Sequence, residues 1–142
     1  MTQKKQINRT FLIILLGILA AIGPFTIDMY LPGFGQIADE FGTSEKQVAF
    51  TLTSYFVGIA IGQLIYGPLV DKYGRKKPLL IGLTIYALAA LGCALSYSIE
   101  SLIVMRLLQA LGGCVGMVDS NAVISDVYEK NERAKAFSLI ML

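Results

Sequence analysis

Three stretches of this chain carry no charged residue, and their length limits the folds that the chain can adopt. Residues 48–70 form an uncharged run of 23, residues 79–99 one of 21, and residues 11–27 one of 17. A fourth run, residues 102–118, is interrupted only by Arg106. An α-helix rises about 1.5 Å per residue, so about 20 apolar residues cross a hydrocarbon layer about 30 Å thick. These runs predict an all-α integral membrane protein.

The predicted spans extend beyond the uncharged residues where the helical pattern continues. They cover residues 11–31, 48–70, 79–99 and 102–128, and a fifth span begins near residue 134. Lys4, Lys5 and Arg9 before the first span could also indicate a secretory signal. However, the apolar run is long for a signal and no A-x-A cleavage site follows it. We therefore interpret this run as a retained first helix.

The composition agrees with a membrane protein and argues against several other classes. Charged residues make up 15% of the chain, whereas a soluble domain carries about 25%. The net charge of +2 does not indicate binding to nucleic acid. Histidine is absent, and Cys93 and Cys114 both lie in apolar runs, so we expect no metal cluster or disulfide framework. The sequence shows no nucleophile–base pattern and no phosphate-binding loop, so we expect no enzymatic activity and no cofactor.

Basic residues alternate between the connections, and this pattern predicts the orientation of the chain. The N-terminal tail has three basic residues, the connection after the second span has four, and the segment after the fourth has three. The connection after the first span has only Lys46, against three acids. The N-terminus and the second and fourth connections should therefore lie in the cytoplasm.

Small residues recur four positions apart within three of the spans. The pairs are Gly58 with Gly62, Ala90 with Ala94, and Gly112 with Gly116. Such pairs let helix backbones approach closely in lipid. They predict a compact helix bundle.

The connection between the second and third spans has a specific sequence, residues 67–78. We expect Gly74 to end a helix in the left-handed conformation and Pro78 to lie in the first turn of the next helix. The pattern G-x-L-x-D-x-x-G-R-K in this segment resembles the signature between helices 2 and 3 of the major facilitator superfamily.

Two further segments resemble drug:proton antiporters of that superfamily. Residues 106–113 resemble the R-x-x-Q-G-x-G motif of helix 4, with Ala110 in place of the usual glycine. Residues 28–32, D-M-Y-L-P, resemble the end of helix 1 in the bicyclomycin and chloramphenicol resistance (Bcr/CflA) branch. The chain departs from the branch at Asp119, where an apolar residue is more usual, and at Asn121 and Ser125, where arginine is frequent.

The resemblance implies twelve helices in two halves of six. Residues 1–142 would form an incomplete N-terminal half, with helices 1–4 and the start of helix 5. The implied function is proton-coupled efflux of small drug-like molecules, such as the bicyclomycin or chloramphenicol class, across the cell inner membrane. The partners would be a small-molecule substrate, protons, the lipid bilayer and the C-terminal half, with the proton gradient as energy source and no nucleic acid.

Charges inside a membrane are functional candidates, since each raises the insertion free energy by about 2.5–3.5 kcal/mol. Asp28 and Arg106 are expected at similar depth near the outer ends of their spans, and an ion pair could make Asp28 a proton carrier or a site for cationic substrate. Alternatively, Asp28 lies at the interface and Arg106 reaches water. Gln109 shares a helix face with Arg106 and could bond ligand, Arg106 or another helix. Tyr30, Tyr55 and Tyr86 could line a cavity or serve packing.

The resemblance also implies an inner gate that joins the two halves while the transporter faces outward. The residues assigned to it are Gly67, Asp71, Gly74, Arg75, Lys76 and Asp126. Asp126 is the expected partner of Arg75. Asp71 would favour a helix N-terminus in the opposing half.

Other functions remain open from the sequence alone. A nutrient symporter of the same superfamily is the nearest rival, although the D-M-Y-L-P and R-x-x-Q matches argue against it. A membrane interaction protein, or an inactive piece that folds only beside a partner half, is a second. A small dimeric multidrug transporter is a third, but such proteins place an acid nearer the middle of helix 1 and lack the signature between helices 2 and 3.

Overall fold

The computed structural model describes residues 9–127 and residue 138, with side chains from residue 11 onward. Within this part, four helices are long and apolar enough to cross a membrane. They are α1 (Arg9–Asp28), α3 (Glu45–Tyr73), α4 (Lys76–Ala94) and α5 (Ile99–Val127), and a short helix α2 (Phe34–Glu40) follows a 3-10 turn at Leu31–Gly33. The described residues form no strand, which confirms the all-α prediction. The fifth span predicted near residue 134 begins outside the described residues.

Side-chain caps move the helix ends away from the limits of the uncharged runs. The hydroxyl of Ser44 accepts a hydrogen bond from the backbone N–H of Gln47, so α3 begins at Glu45 instead of residue 48. The hydroxyl of Ser98 accepts a hydrogen bond from the N–H of Ser101, and α5 begins at Ile99 instead of residue 102. Helix α4 ends at Ala94 instead of residue 99. The length of an uncharged run shows how many residues can lie in lipid. The position at which a helix starts is decided by its capping residue.

The predicted first span, residues 11–31, ends early. Helix α1 stops at Asp28, because Pro32 has no N–H to donate to the carbonyl of Asp28 in a further turn. The chain turns through the 3-10 segment into α2, which packs against α3. This turn brings Tyr30 into a buried cluster with Ala38 and Val48.

Helix α5 is the central element of the bundle and packs against α1, α3 and α4. Half of the residues in the most apolar segment of α5 are buried inside the bundle, compared with 6% in that of the first span. Small residues make this packing possible: a Cβ at Gly58 would lie 2.7 Å from the carbonyl oxygen of Leu107, and one at Gly116 would lie 2.6 Å from that of Leu19. The glycine pairs of α3 and α5 therefore lie at helix contacts, as predicted.

The bundle has two ends, which we call the loop end and the far end. The loop end contains residues 71–77, where α3 ends and α4 begins. The far end is the opposite one, with Tyr30 and α2. At the loop end Gly74 has a φ of 75°, the positive value predicted, but its ψ of 170° is extended and not left-handed helical. Pro78 lies in the first turn of α4, as expected, and is buried.

Candidate functional site

A cavity of about 630 Å³ lies between α1, α4 and α5, toward the far end. Its walls are mostly apolar, and its polar lining consists of Thr26, Tyr30, Tyr86, Cys93, Arg106 and Gln109. Among the described residues that line it, Arg106 alone carries a formal charge. The volume falls in the range of about 300–1,000 Å³ that is typical of small-molecule sites.

Arg106 projects from the second turn of α5 and is only 9% exposed. Its guanidinium carbon lies 3.6 Å from the centroid of the Tyr30 ring and 5.9 Å from that of Tyr55. A cation over an aromatic face is attracted by the ring quadrupole, most strongly where water is excluded. The Nε atom of Arg106 is buried and has no hydrogen-bond partner among the described residues.

Tyr30 is held in place by α3. Its hydroxyl is 2.6 Å from Oγ1 of Thr51, and that oxygen donates its own hydrogen to the carbonyl of Val48 at 2.6 Å. The Tyr30 hydroxyl must therefore be the donor to Thr51. Because both ends of the contact are buried, the ring has a fixed position against Arg106.

Gln109 lies one turn after Arg106 and joins it to α4. Its Oε1 accepts a hydrogen bond from Nη1 of Arg106 at 3.2 Å and a weaker one from the Cys93 thiol at 3.8 Å. Its amide nitrogen has no partner among the described residues, so it can donate into the cavity. Gln109 thus contacts both Arg106 and a neighbouring helix, two of the three predicted possibilities.

Asp28 does not join this group. It is exposed at the end of α1, does not line the cavity, and forms no ion pair with Arg106. Helix α1 ends at Asp28, and it is Tyr30, in the turn that follows, that covers the guanidinium. The predicted ion pair between Asp28 and Arg106 is therefore not formed in the structure.

The loop end brings several of the residues assigned to an inner gate together. One nitrogen of Arg75, Nη2, forms an ion pair with Asp126 and also donates to the carbonyl of Ala122 at 3.1 Å. The expected contact between Arg75 and Asp126 is thus present. A second cavity, of about 400 Å³, lies beside this ion pair. Asp71 and Gly74 line it together with Arg75 and Asp126, whereas Gly67 and Lys76 do not.

Two features of the sites have no sequence signal that points to them in advance. The hydroxyl of Tyr86 bonds Thr26 at 2.7 Å, which closes one wall of the larger cavity between α1 and α4. Cys93 approaches Gln109 because Gly82 and Gly112 let α4 and α5 pack closely. Of the three candidate tyrosines, Tyr30 and Tyr86 line the cavity and Tyr55 lies buried behind it.

Comparison with known proteins gives a consistent result. Residues 11–142 match the sequence model of the Major Facilitator Superfamily. The chain is 41% identical over its full length to the bicyclomycin resistance protein homolog of Haemophilus influenzae, of which it covers 35%. It is 38% identical over 82% of its length to a chloramphenicol resistance protein of Pseudomonas aeruginosa, of which it covers 27%. An uncharacterized MFS-type transporter of Bacillus subtilis is 47% identical over 95% of the chain, with 34% of that protein covered. The chain therefore spans about a third of the length of these relatives.

Proposed function

The chain belongs to the Major Facilitator Superfamily, and from that premise we propose that it is part of a transporter that exports small drug-like molecules in exchange for protons. Four membrane-length helices make it a multi-pass membrane protein. Relatives named for resistance to bicyclomycin and chloramphenicol support export of antibiotic-like compounds. The basic residues of the loop end support a cytoplasmic position for that end, in the cell inner membrane.

The observation that carries the proposal is the buried Arg106 in the wall of the larger cavity. The guanidinium is held by the Tyr30 ring and by Gln109, and no carboxylate neutralises it among the described residues. Its positive charge and the Gln109 amide, both in the wall of the cavity, remain able to bind a ligand. A compound with hydrogen-bond acceptors and an apolar body fits a cavity of this composition.

Asp28 remains the candidate proton carrier of this proposal. It is exposed at the far end, where it can exchange protons with water. An ionised Asp28 would place a negative charge at the far end, where Arg106 also lies, and protonation would remove that charge. Proton binding would in this way change the affinity of Arg106 for ligand, which is the linkage that exchange needs.

The experiment uses the complete transporter in everted membrane vesicles, where drug-dependent proton release is followed with a pH-sensitive dye. We expect Arg106→Ala to abolish the drug-dependent proton release and Arg106→Lys to retain a small part of it. Asp28→Asn should uncouple drug movement from proton release. The exposed Lys46→Gln is the matched control and should behave as wild type. Full release by Arg106→Ala would refute the binding role, and full release by Asp28→Asn would refute the carrier role. Proton movement in the direction of substrate uptake would identify a symporter instead.

A further inference from the structure

Asp119 is a buried acid in α5, and one oxygen of its carboxyl group lacks a hydrogen-bond partner in the part of the chain that the structure describes. The residue is 4% exposed, and its Oδ1 is buried with no hydrogen bond among the described residues. The next residue, Ser120, shows the usual solution, because its hydroxyl bonds the carbonyls of Leu16 and Gly116. A carboxylate buried without a partner is strongly unfavourable, so Asp119 requires either a proton or a counter-charge.

Arg75 is the described cation that contacts α5 beside Asp119. Its Nη2 atom bonds the carbonyl of Ala122, which lies one turn after Asp119 on that helix. The guanidinium already binds Ala122 and Asp126, which lie three and seven residues after Asp119 on the same face of α5. Asp119 therefore lies two turns deeper than Asp126 along the surface that Arg75 contacts.

The present partner of Arg75 is a weak competitor. The side chain of Asp126 is 69% exposed and that of Arg75 is 30% exposed, so water screens much of their attraction. A buried carboxylate is screened far less and would attract the same guanidinium more strongly. The position of Arg75 should therefore depend on whether Asp119 carries a proton.

The other helices add little charge around Asp119. Leu16 and Leu19 of α1 lie against Ser120 and Gly116, and Gly82 of α4 lies against Val115. On the α3 side, Tyr66 packs with Cys114 and Val115. Tyrosine and cysteine ionise only in alkaline solution, so the charged groups to consider near neutral pH among the described residues are Arg75, Asp126 and Asp71, which lines the cavity beside Arg75.

We propose that Asp119 is a proton-binding site inside the bundle, and that Arg75 moves between Asp126 and Asp119 as this proton binds and leaves. A proton from water at the loop end converts the carboxylate to a carboxylic acid, and no other bond is made or broken. It returns to water at the same end of the bundle, where the cavity of about 400 Å³ lies beside Arg75. The site is separate from Asp28 and Arg106 and needs no substrate, so it stands independently of the proposed export.

The test is pH-difference infrared spectroscopy of the complete protein in phospholipid vesicles. We expect a C=O stretching band of a protonated carboxyl that Asp119→Asn removes and Asp126→Asn retains. Arg75→Gln should make that band persist to higher pH, because a positive charge beside a carboxylate favours its ionised form. Lys76→Gln, which removes a neighbouring exposed charge, should leave the band nearly unchanged.

Three results would overturn the proposal. The first is a spectrum whose carboxyl bands are the same in Asp119→Asn as in wild type. The second is an equal displacement by Arg75→Gln and Lys76→Gln, which would mean that Arg75 acts only through the general field. The third is a band that is unaffected by Arg75→Gln. Each can be read in a protein that does not transport, so failure here is distinct from failure of the export proposal.

Discussion

An arginine lies near each end of α5, Arg106 within the helix and Arg75 packed against it. The two side chains are held by different kinds of contact. At the far end Arg106 is buried, faces an aromatic ring and an amide, and has no carboxylate partner among the described residues. At the loop end Arg75 is partly exposed and forms an ion pair with an acid that is mostly in water. The buried cation keeps its charge available to a ligand, whereas the exposed one is neutralised but weakly held.

The energies of these contacts suggest different uses. A desolvated contact between a guanidinium and an aromatic ring contributes about 2 kcal/mol. An exposed ion pair contributes about 0–1 kcal/mol. The far end is therefore suited to a fixed binding geometry, and the loop end to a contact that opens and closes at small cost.

The largest effect is expected from a change that disturbs both ends at once. Gly112 lies where α5 meets α4, and a Cβ there would lie 2.5 Å from the backbone nitrogen of Tyr86 and 2.6 Å from the oxygen of Gly82. Gly112→Ala should lower the free energy of unfolding by about 1–3 kcal/mol, because backbone cannot move aside as a side chain can. Thermal unfolding in lipid nanodiscs measures this.

Gly17→Ala is the matched control, since nothing lies within 4 Å of a Cβ at that position of α1. It should leave stability unchanged or raise it by up to about 1 kcal/mol through helix propensity. Equal melting temperatures for the Gly112 and Gly17 variants would mean that α4 and α5 are not held this closely. The two ends of the bundle would then not be connected through a tightly packed pair of helices.

The next effect concerns the buried arginine alone. Arg106→Ala should destabilise the far end by about 2 kcal/mol through loss of the contact with Tyr30. Arg106→Lys should recover part of this, because an ammonium keeps the charge but not the planar fork that meets Gln109. Unfolding of both variants beside Arg75→Ala gives the comparison directly. A larger loss for Arg75→Ala would reverse the assignment of the two ends.

A smaller effect is expected from the hydroxyl that positions Tyr30. Tyr30→Phe keeps the ring over Arg106 but removes the hydrogen bond to Thr51, for a loss of about 1 kcal/mol. Thr51→Val should have a similar effect, and the double variant should lose little more than either one, because both remove the same contact. Additive losses would show that the two hydroxyls act independently.

The smallest effect belongs to the loop end. Charge reversal by Arg75→Asp or Asp126→Arg should change the free energy of unfolding by about 1 kcal/mol or less, and the double reversal should restore it in part. The recovery should fade in concentrated salt, which screens exposed charges. If the double variant shows no recovery at low salt, the pair contributes nothing measurable and the loop end is held by other contacts.

How much can be predicted from the sequence depends on the range of the contacts involved. The four spans follow from uncharged length, and the shared face of Arg106 and Gln109 follows from spacing along one helix. The partner of Arg106 cannot be predicted in this way, since it depends on how the chain turns at Pro32 to bring Tyr30 beneath α3. Asp28 is a reasonable candidate by depth, but depth does not specify which side of a helix end faces the cavity.

The loop end is more predictable than the far end for a related reason. Arg75 and Asp126 belong to segments whose contact the family resemblance already implies, and the structure contains that contact. Asp119 has no counterpart in those motifs. The sequence marks it as a departure from the branch, but its burial depends on packing with other helices and is known only from the structure.

The position of α1 has a consequence for how the protein is made. This helix packs mainly on α5, and the bond from Ser120 to the carbonyl of Leu16 joins residues 104 positions apart. At about 5–20 residues per second of synthesis, the contact surface of α1 waits roughly 5–20 s for its partner. Its 17 uncharged residues allow it to remain in lipid during that time. Helix α1 is thus synthesised before α5 but secured only when α5 arrives, and a ribosomal pause before residue 120 would lengthen the interval in which α1 can be captured by quality-control proteases.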